Sequence, residues 1–287
     1  MVWTLQAPTA LTESQFVRWS KLLEERTGIQ LSAQQKALLQ SQVTMRMREL
    51  GYSDYNQYYQ LVTDGLSGLM EWSVLVDRLT VKETSFFRHR PSLEYVRRFI
   101  QNRINNRELH GSFDIWSVGC ATGEEPYSLA MVANDCFELA GLPPYYGITA
   151  LDISSAALAQ ARTGIYNARK LAQVQPDEVL RYFERTDDGQ FQVVKKLRAR
   201  VCFSHGNVTR ISAMPSVSMD VIFCQNLLVY FRRWLRRDIL NAFAARLKPG
   251  GVLIIGLGES VDWEHPGLKR VVGSEVQAYI RDQRQEQ

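Results

Sequence analysis

Two adjacent carboxylates follow a glycine turn in this chain, and a helical pattern opens on them. The stretch is FDIWSVGCATGEEPYSLAM, from Phe113 to Met131. Ile115, Trp116 and Val118 are apolar enough for a buried parallel strand, Gly119 and Gly123 let the backbone turn sharply and approach a ligand, and Pro126 to Met131 begins a helix. Glu124 and Glu125 therefore stand at the helix start. A dinucleotide needs G-x-G-x-x-G, so that bare amides meet its pyrophosphate at the helix N-terminus. Here that place carries negative charge, which suits a cationic cofactor. S-adenosylmethionine has a sulfonium, an amino group and no phosphate, so the pattern points to it rather than to NAD. The bland alternative is that both acids complement the positive end of the helix dipole, and on this segment alone the two readings weigh equally.

Further residues with matching chemistry follow in order. TALDIS puts Asp152 at the carboxyl end of a second strand, where an acid can accept from both ribose hydroxyls. A helix N-cap uses the same residue type. SHGNV sets Asn207 after a third strand, with an amide suited to the adenine edge, although loop asparagines are common. MDVIFCQNLLVYF runs from a strand into Asn226 and Tyr230, four apart and on one face if the chain coils there. For Tyr230 the alternative is ordinary aromatic packing. LKPGGVLIIG reads as helix, Pro-Gly-Gly turn and strand.

The elements that must hold these residues show in the hydrophobic periods. Apolar runs at 113–118, 148–153, 219–224 and 251–257 alternate with helical ones, which predicts an α/β fold with a doubly wound, Rossmann-like parallel sheet over 113–287. Residues 167–206 break that rhythm. DDGQFQV, an Asp-Gly turn before an alternating segment, and RARVCFSH read as a small inserted antiparallel β subdomain. Residues 11 to about 107 are helical throughout. Thr12 with Gln15 forms a capping box ahead of Phe16, Trp19, Leu22 and Leu23, and Gly28 stops that helix. Ser32 with Gln35 opens a second, with Leu39, Val43, Met47 and Leu50 on one stripe before Gly51. Tyr55 to Val62 and Trp72 to Leu79 give two more, and a longer one follows Pro91 through Leu93, Val96, Phe99 and Ile100. The division expected is an N-terminal helical domain over 1–90, a linker helix over 91–112 and the sheet domain beyond.

Composition sets outer bounds. With 287 residues, 45% hydrophobic and 22% charged, the chain resembles an ordinary globular protein with one substantial core and a smaller one. A net charge of +4 and a pI near 8.9 fall short of the Lys/Arg loading that by itself argues for nucleic acid. MVWTLQAPTA lacks a charged region followed by a long apolar one, and nowhere do 18 apolar residues run together, so export and membrane insertion are not expected and a cytoplasmic location is. Cys120, Cys136, Cys202 and Cys224 lack C-x-x-C spacing; neither a disulfide framework nor a metal site is expected, and all four are expected to be reduced and buried.

Six segments together carry a resemblance. WSVGCATGEEPYSLAM, LTVKETSFFRHR, ALDISSAALAQARTGIY, LRYFER, FCQNLLVYF and LKPGGVLIIG resemble the chemotaxis receptor methyltransferases of the CheR type over essentially the whole chain. The resemblance implies a helical receptor-recognition domain, a catalytic domain and an inserted antiparallel subdomain. It also implies methyl transfer from S-adenosylmethionine to glutamate side chains on the cytoplasmic helices of chemoreceptors, leaving S-adenosylhomocysteine. Cofactor roles carry over to Thr84, Arg88, Gly119, Glu125, Asp152, Asn207 and Asn226, with Glu125 near the methionine amino group, Asp152 at the ribose and Asn207 at the adenine. Arg88 and Tyr230 fall nearest the transferred methyl, and Arg185 of RYFER falls close to the active site. For Arg88 the alternative is a surface linker arginine. Arg46 and Arg48 match a basic face that engages acidic receptor helices.

The chain departs from the family at Lys82, where T-x-N-E-T has asparagine, at Gln225, where C-R-N has arginine, and at Gln42 and Met45, where arginines often sit. Arg232, Arg233, Arg236 and Arg237 either supplement the basic face or form a solvated one with local ion pairs. Members that tether to a receptor's C-terminal pentapeptide carry a glycine-rich extension in the inserted hairpin. RTDDGQFQV is short with one glycine, so independence of that tail is expected, and the divergence fits a specialised array such as one controlling type IV pili. Two other classes share the cofactor pocket. A methyltransferase for a small molecule or RNA does not need the helical domain with Arg46 and Arg48, and RNA favours a more basic surface with exposed aromatics. A non-catalytic regulator that binds S-adenosylmethionine is favoured by Lys82 and Gln225.

Overall fold

The computed structural model describes residues 10–109, 111–215, 217–271 and 275–283. The chain forms two compact units, one running to Val81 and including Tyr230–Arg232, the other comprising Lys82–Val229 and the chain from Arg233 onward. The helical unit thus ends at Val81 rather than at residue 90.

Helices α1 (Glu13–Thr27), α2 (Lys36–Leu50), α3 (Tyr55–Thr63) and α4 (Gly65–Leu79) make the first unit. At the start of α1, Thr12 Oγ1 accepts the Gln15 amide at 3.2 Å and the Gln15 side chain accepts the Thr12 amide at 3.0 Å, the reciprocal cap read from the sequence. Trp19, Leu23, Leu39, Val43, Tyr58, Val62 and Leu75 fill its core. The Ser32 box caps a 3-10 turn, Ala33–Gln35, ahead of α2. Helix α4 starts well before Trp72. Its first turns present Leu66 and Met70 outward, 81% and 75% exposed, so no inward stripe marks them in the sequence.

In the second unit α5 (Arg90–Asn105) leads to β1 (Phe113–Val118), α6 (Glu124–Leu139), β2 (Tyr146–Asp152), α7 (Ser155–Thr163), β3 (Ile165–Tyr166), α8 (Pro176–Tyr182), β4 (Phe183–Arg185), β5 (Phe191–Val193), α9 (Lys195–Arg198) and β6 (Val201–His205). Then come β7 (Met219–Cys224), α10 (Arg233–Arg246), β8 (Leu247–Ile255), β9 (Leu268–Arg270) and β10 (Gln277–Arg281). Seven strands form one sheet in the order β6-β2-β1-β7-β8-β10-β9. The first five are parallel and β10 is antiparallel to both its neighbours. Helices on both faces bury the central strands, which is why β1 and β7 read as continuous apolar runs. Strands β3, β5 and β4 form the small antiparallel sheet.

Three expectations change. Val201–His205 belongs to the large sheet, pairing with β2 from Ile148 opposite Val201 to Asp152 opposite His205, and not to the insert. As an edge strand it leaves Cys202, Ser204 and His205 exposed, so it lacks the apolar run of an inner strand. In LKPGGVLIIG the Pro-Gly-Gly lies inside β8: Leu247 opposes Met219, Val252 opposes Val221, and the extra residues bulge between them. Cys120, Cys136 and Cys224 are buried free thiols, but Cys202 is exposed, contrary to expectation. Among the described residues, no helix is long and apolar enough to cross a membrane.

Candidate active site

The strand order reverses between β1 and β7, and the crevice beyond the carboxyl ends of strands at such a switch point is where open α/β sheets bind ligands. Gly119 follows β1 with φ 80, and its amide donates to the Leu151 carbonyl at 2.8 Å. A Cβ there would meet the Leu227 side chain, from the loop after β7, at 3.0 Å. Gly123, at φ 96, opens α6, and a Cβ on it would lie 2.8 Å from the Ala161 methyl. Both glycines are required by close approach and by left-handed backbone.

The two acids at the start of α6 have separate fates. Glu124 is fully buried and neutralised in place: Thr122 Oγ1 donates to its Oε2 at 2.6 Å and Lys170 Nζ lies 2.8 Å from its Oε1. Glu125 Oε1 accepts from Ser117 Oγ at 2.7 Å. Burial pushes its carboxyl up to about 8; the Ser117 hydrogen bond and the Arg88 charge oppose this, while the charges of Glu259 and Asp152 add to it. Burial also raises Asp152, against the pull of amides from Ser154 and Ala121, each donating at 2.8 Å, and of the Lys82 charge. Asp152 thereby braces the glycine turn, and the cap of α7 is Ser154, whose hydroxyl accepts the Ala157 amide at 3.1 Å.

Glu259, in the loop after β8, is the third acid. It is 2% exposed, accepts the Gly256 amide at 2.8 Å, and is raised by burial against opposing amides of Gly256, Val229, Asn226 and Leu228. A crevice with three carboxyls all raised by burial favours a cation over an anion. The amino group and sulfonium of S-adenosylmethionine fit that donor set.

Residues 82–278 match the family model described as CheR methyltransferase, SAM binding domain, and residues 14–80 match CheR methyltransferase, all-alpha domain. The chain belongs to the CheR methyltransferase family. The chemotaxis protein methyltransferase of Salmonella typhimurium is 33% identical over 258 residues, covering 88% of this chain and 85% of the relative. That of Escherichia coli is 32% identical over 255 residues, covering 88% and 86%. That of Borreliella burgdorferi is 28% identical over 254 residues, covering 88% and 89%. The two matches are divided in sequence at Val81, the last residue of the first unit's long segment. The cofactor is S-adenosylmethionine, which the acids of the crevice suit.

Around this CheR crevice the structure gathers Gly119, Glu125, Asp152 and Asn226, with Arg88 reaching Glu125 through its field. Asn207 joins them at the end of β6, where the neighbouring Gly206 amide donates to the Asp152 carbonyl at 2.9 Å and the Asn207 side chain accepts the Thr209 amide at 2.9 Å. Thr84 is tied in through its carbonyl, which accepts from Lys170 Nζ at 2.9 Å. Arg88 is exposed and donates to the Glu83 carbonyl at 2.9 Å, while Phe86 and Phe87 beside it are buried and anchor the segment. Asn226 takes φ 59, so the chain does not coil from it. Only the 3-10 turn Leu228–Tyr230 forms, and Asn226 and Tyr230 share no α-helical face. Tyr230 groups with the helical unit, its carbonyl accepting the Gln30 amide at 2.8 Å. Arg185 ends β4 with its guanidinium 5.4 Å from the Phe191 ring, inside the inserted sheet.

The family departures also find places. The Gln225 amide donates to buried Ser92 Oγ at 2.8 Å, which is bonded to His89 Nδ1 at 2.8 Å, so this position ties β7 to the start of α5. Lys82 contributes positive charge near Asp152. In the helical unit Arg46 grips Glu71 with two 2.8 Å hydrogen bonds and Glu49 with one of 2.9 Å, whereas Arg48 is exposed. Arg232 pairs with Glu24 in the first unit; in the second, Arg233 pairs with Asp262 at 2.5 Å and Arg236 donates to the Val229 and Glu259 carbonyls at 3.3 Å. Sequence reasoning did not find Ser117, Lys170 or Glu259. Ser117 is the lone hydroxyl in an apolar strand, and Glu259 an acid just past the last parallel strand, in GLGES; those are the only signals.

Proposed function

We propose that this protein is a protein-glutamate O-methyltransferase of sensory adaptation, acting on the cytoplasmic signalling helices of a chemoreceptor and therefore working in the cytoplasm. The observation that carries this reading is Glu125, set at the switch point of a CheR fold with its carboxyl pushed up to about 8 by burial, which the Ser117 hydroxyl and the Arg88 charge only partly offset. When bound, S-adenosylmethionine supplies an electrophilic methyl on sulfur. Glu125 takes the amino group, Asp152 the ribose hydroxyls and Asn207 the adenine edge, with Gly119, Asn226 and Thr84 shaping the walls.

The acceptor needs no general base, because a glutamate with a pKa of about 4.3 is already ionised near neutrality. It is a weak nucleophile, so the protein must strip its water and align one oxygen with the methyl carbon. Such orientation can supply up to about 7–11 kcal/mol. Arg88 is the steering guanidinium, able to hold a carboxylate by paired hydrogen bonds, with Arg185 as its second and the Tyr230 hydroxyl as a further contact. On the receptor side Arg48 carries more of the footprint than Arg46, which the Glu71 and Glu49 carboxylates occupy.

The reading includes independence of a receptor C-terminal pentapeptide. Its support is the tight turn from β4 to β5, closed by Thr186 and Gln190 with one glycine, which leaves no extension to take a peptide strand. Radiolabelled S-adenosylmethionine and receptor cytoplasmic fragments test the activity: base-labile label on glutamate is expected, and label on a small molecule or RNA, or cofactor binding without transfer, overturns it. Calorimetric titration with the pentapeptide is expected to show no heat of tight binding; micromolar affinity refutes the tether-free reading.

A further inference from the structure

We infer that Lys170 is a positioning residue: from the inserted subdomain it fixes the Thr84–Arg88 segment against the glycine turn and so sets how firmly the cofactor is held. The inference rests on the reading that Thr84 and Arg88 border the cofactor.

Lys170 lies in the 3-10 turn Ala168–Leu171, just after β3. Its ammonium stands 2.8 Å from Glu124 Oε1 and donates to the Thr84 carbonyl at 2.9 Å, so one side chain joins the helix start of the glycine turn to the segment carrying Thr84 and Arg88. Glu124 is fully buried, and removing the cation partner of a buried carboxylate is strongly destabilising. A methionine at 170 has no donor and satisfies neither acceptor.

The clamp holds something that needs holding. Phe87 has φ 51, a left-handed backbone that a bulky residue adopts only when its surroundings enforce it. Its amide donates to Ser128 Oγ at 3.0 Å, and the Gln173 side-chain amide, in the orientation its acceptors require, donates to the Phe86 and Phe87 carbonyls at 3.2 and 3.3 Å. The Phe86 ring meets Tyr166 and Phe183 of the insert edge-on at 4.9 and 5.3 Å. The Tyr166 hydroxyl donates to the Thr122 carbonyl in the glycine turn at 2.7 Å. These ties come from the insert, from α6 and from the glycine turn, and Lys170 joins the segment and the start of α6 through a charged group.

The test uses the full chain in four forms: wild type, Lys170→Met, Lys170→Arg, and Lys170→Met with Glu124→Gln, which removes the link without stranding a buried charge. Calorimetric titration with S-adenosylhomocysteine is expected to show Kd raised about tenfold in both methionine forms and restored by arginine. Hydrogen exchange of the ligand-free protein is expected to speed up at residues 84–88 in the same two forms and to stay slow in Lys170→Arg. Unchanged Kd and exchange in the double variant overturns the clamp, as does a Lys170→Arg form as impaired as Lys170→Met. Arg88→Ala reports on the underlying reading separately: if it keeps full turnover and affinity, the cofactor border is misplaced even where exchange at 84–88 still responds to Lys170.

Discussion

In the helical unit, Glu71 accepts two 2.8 Å hydrogen bonds from Arg46 and one of 2.6 Å from the Tyr58 hydroxyl. Burial pushes this carboxyl up, yet those partners outweigh it and hold it below its ordinary value. In the catalytic unit, Glu125 takes a serine hydroxyl, feels Arg88 at a remove and has two other acids nearby, and it is pushed up to about 8. The same residue type is thus completed by its own fold in one place and left short of a cation in the other. A shielded charge with its counter-charge built in is structure; one without it is a binding site.

The largest expected effect breaks that asymmetry at its functional end. In the proposed site Glu125→Gln removes the partner of the cofactor's ammonium, and truncating one half of a buried charge pair costs about 2–5 kcal/mol, so S-adenosylhomocysteine affinity is expected to fall roughly hundredfold by calorimetry. The ligand-free variant is expected to melt no lower than wild type near neutrality, since a carboxyl raised to about 8 by burial has already lost stability to the unfolded chain there. Glu71→Gln is the mirror case: ligand affinity unchanged, stability down by about 2 kcal/mol in denaturant unfolding, less than for a fully buried pair because Arg46 keeps some solvent contact. Replacing Arg46 and Glu71 together by methionine is expected to restore most of that loss. If both single variants lost affinity, or both lost stability, the distinction between the two acids would fail.

Titration sharpens it next. The folded value of Glu125, about 8, lies above its ordinary 4.5, so its stabilising contribution is full below the ordinary value and is lost as pH rises through 8. A cationic ligand needs the ionised form, so binding expels a proton below pH 8. Affinity for S-adenosylhomocysteine is expected to climb with pH by up to about tenfold per unit until 8 and then level off. Calorimetry in two buffers of different ionisation enthalpy reads the released proton directly; equal heats would refute it. Glu71 titrates the other way: its contribution is present above the ordinary value and lost as pH falls through its lowered folded one, so acid is expected to loosen the helical unit.

What the sequence shows of this molecule follows the strength of local signals. The buried strands β1 and β7, the Thr12 box and the glycine turn each carry a period or a cap, and each appears where the pattern places it. Strand β6 does not, because an edge strand with one wet face has the same alternation as a hairpin. The residues of the site divide in the same way. Glu125 and Asp152 announce themselves beside a turn and a strand end, but Glu259 and Lys170 acquire meaning only from contacts made across long stretches of chain. Nothing in the letters near Glu124 tells that a lysine in the insert will neutralise it and so leave Glu125 as the open acid.

The smallest expected effect lies on α2, where two arginines of one helix repeat the contrast in miniature. Residues two apart on an α-helix point about 200° from each other. Arg46 turns inward onto Glu71 and Glu49, and Arg48 turns outward into solvent. An exposed charge contributes little on its own, so Arg48→Glu is expected to raise KM for an acidic receptor fragment about threefold, with melting temperature and cofactor affinity unchanged. Arg46→Ala is expected to lower the melting temperature instead, because it leaves Glu71 shielded and unpaired. Steady-state methylation at low and high salt separates the two: only the Arg48 effect fades as ions screen it. A salt-insensitive loss at Arg48, or a KM effect at Arg46 with full stability, would reverse which arginine meets the receptor.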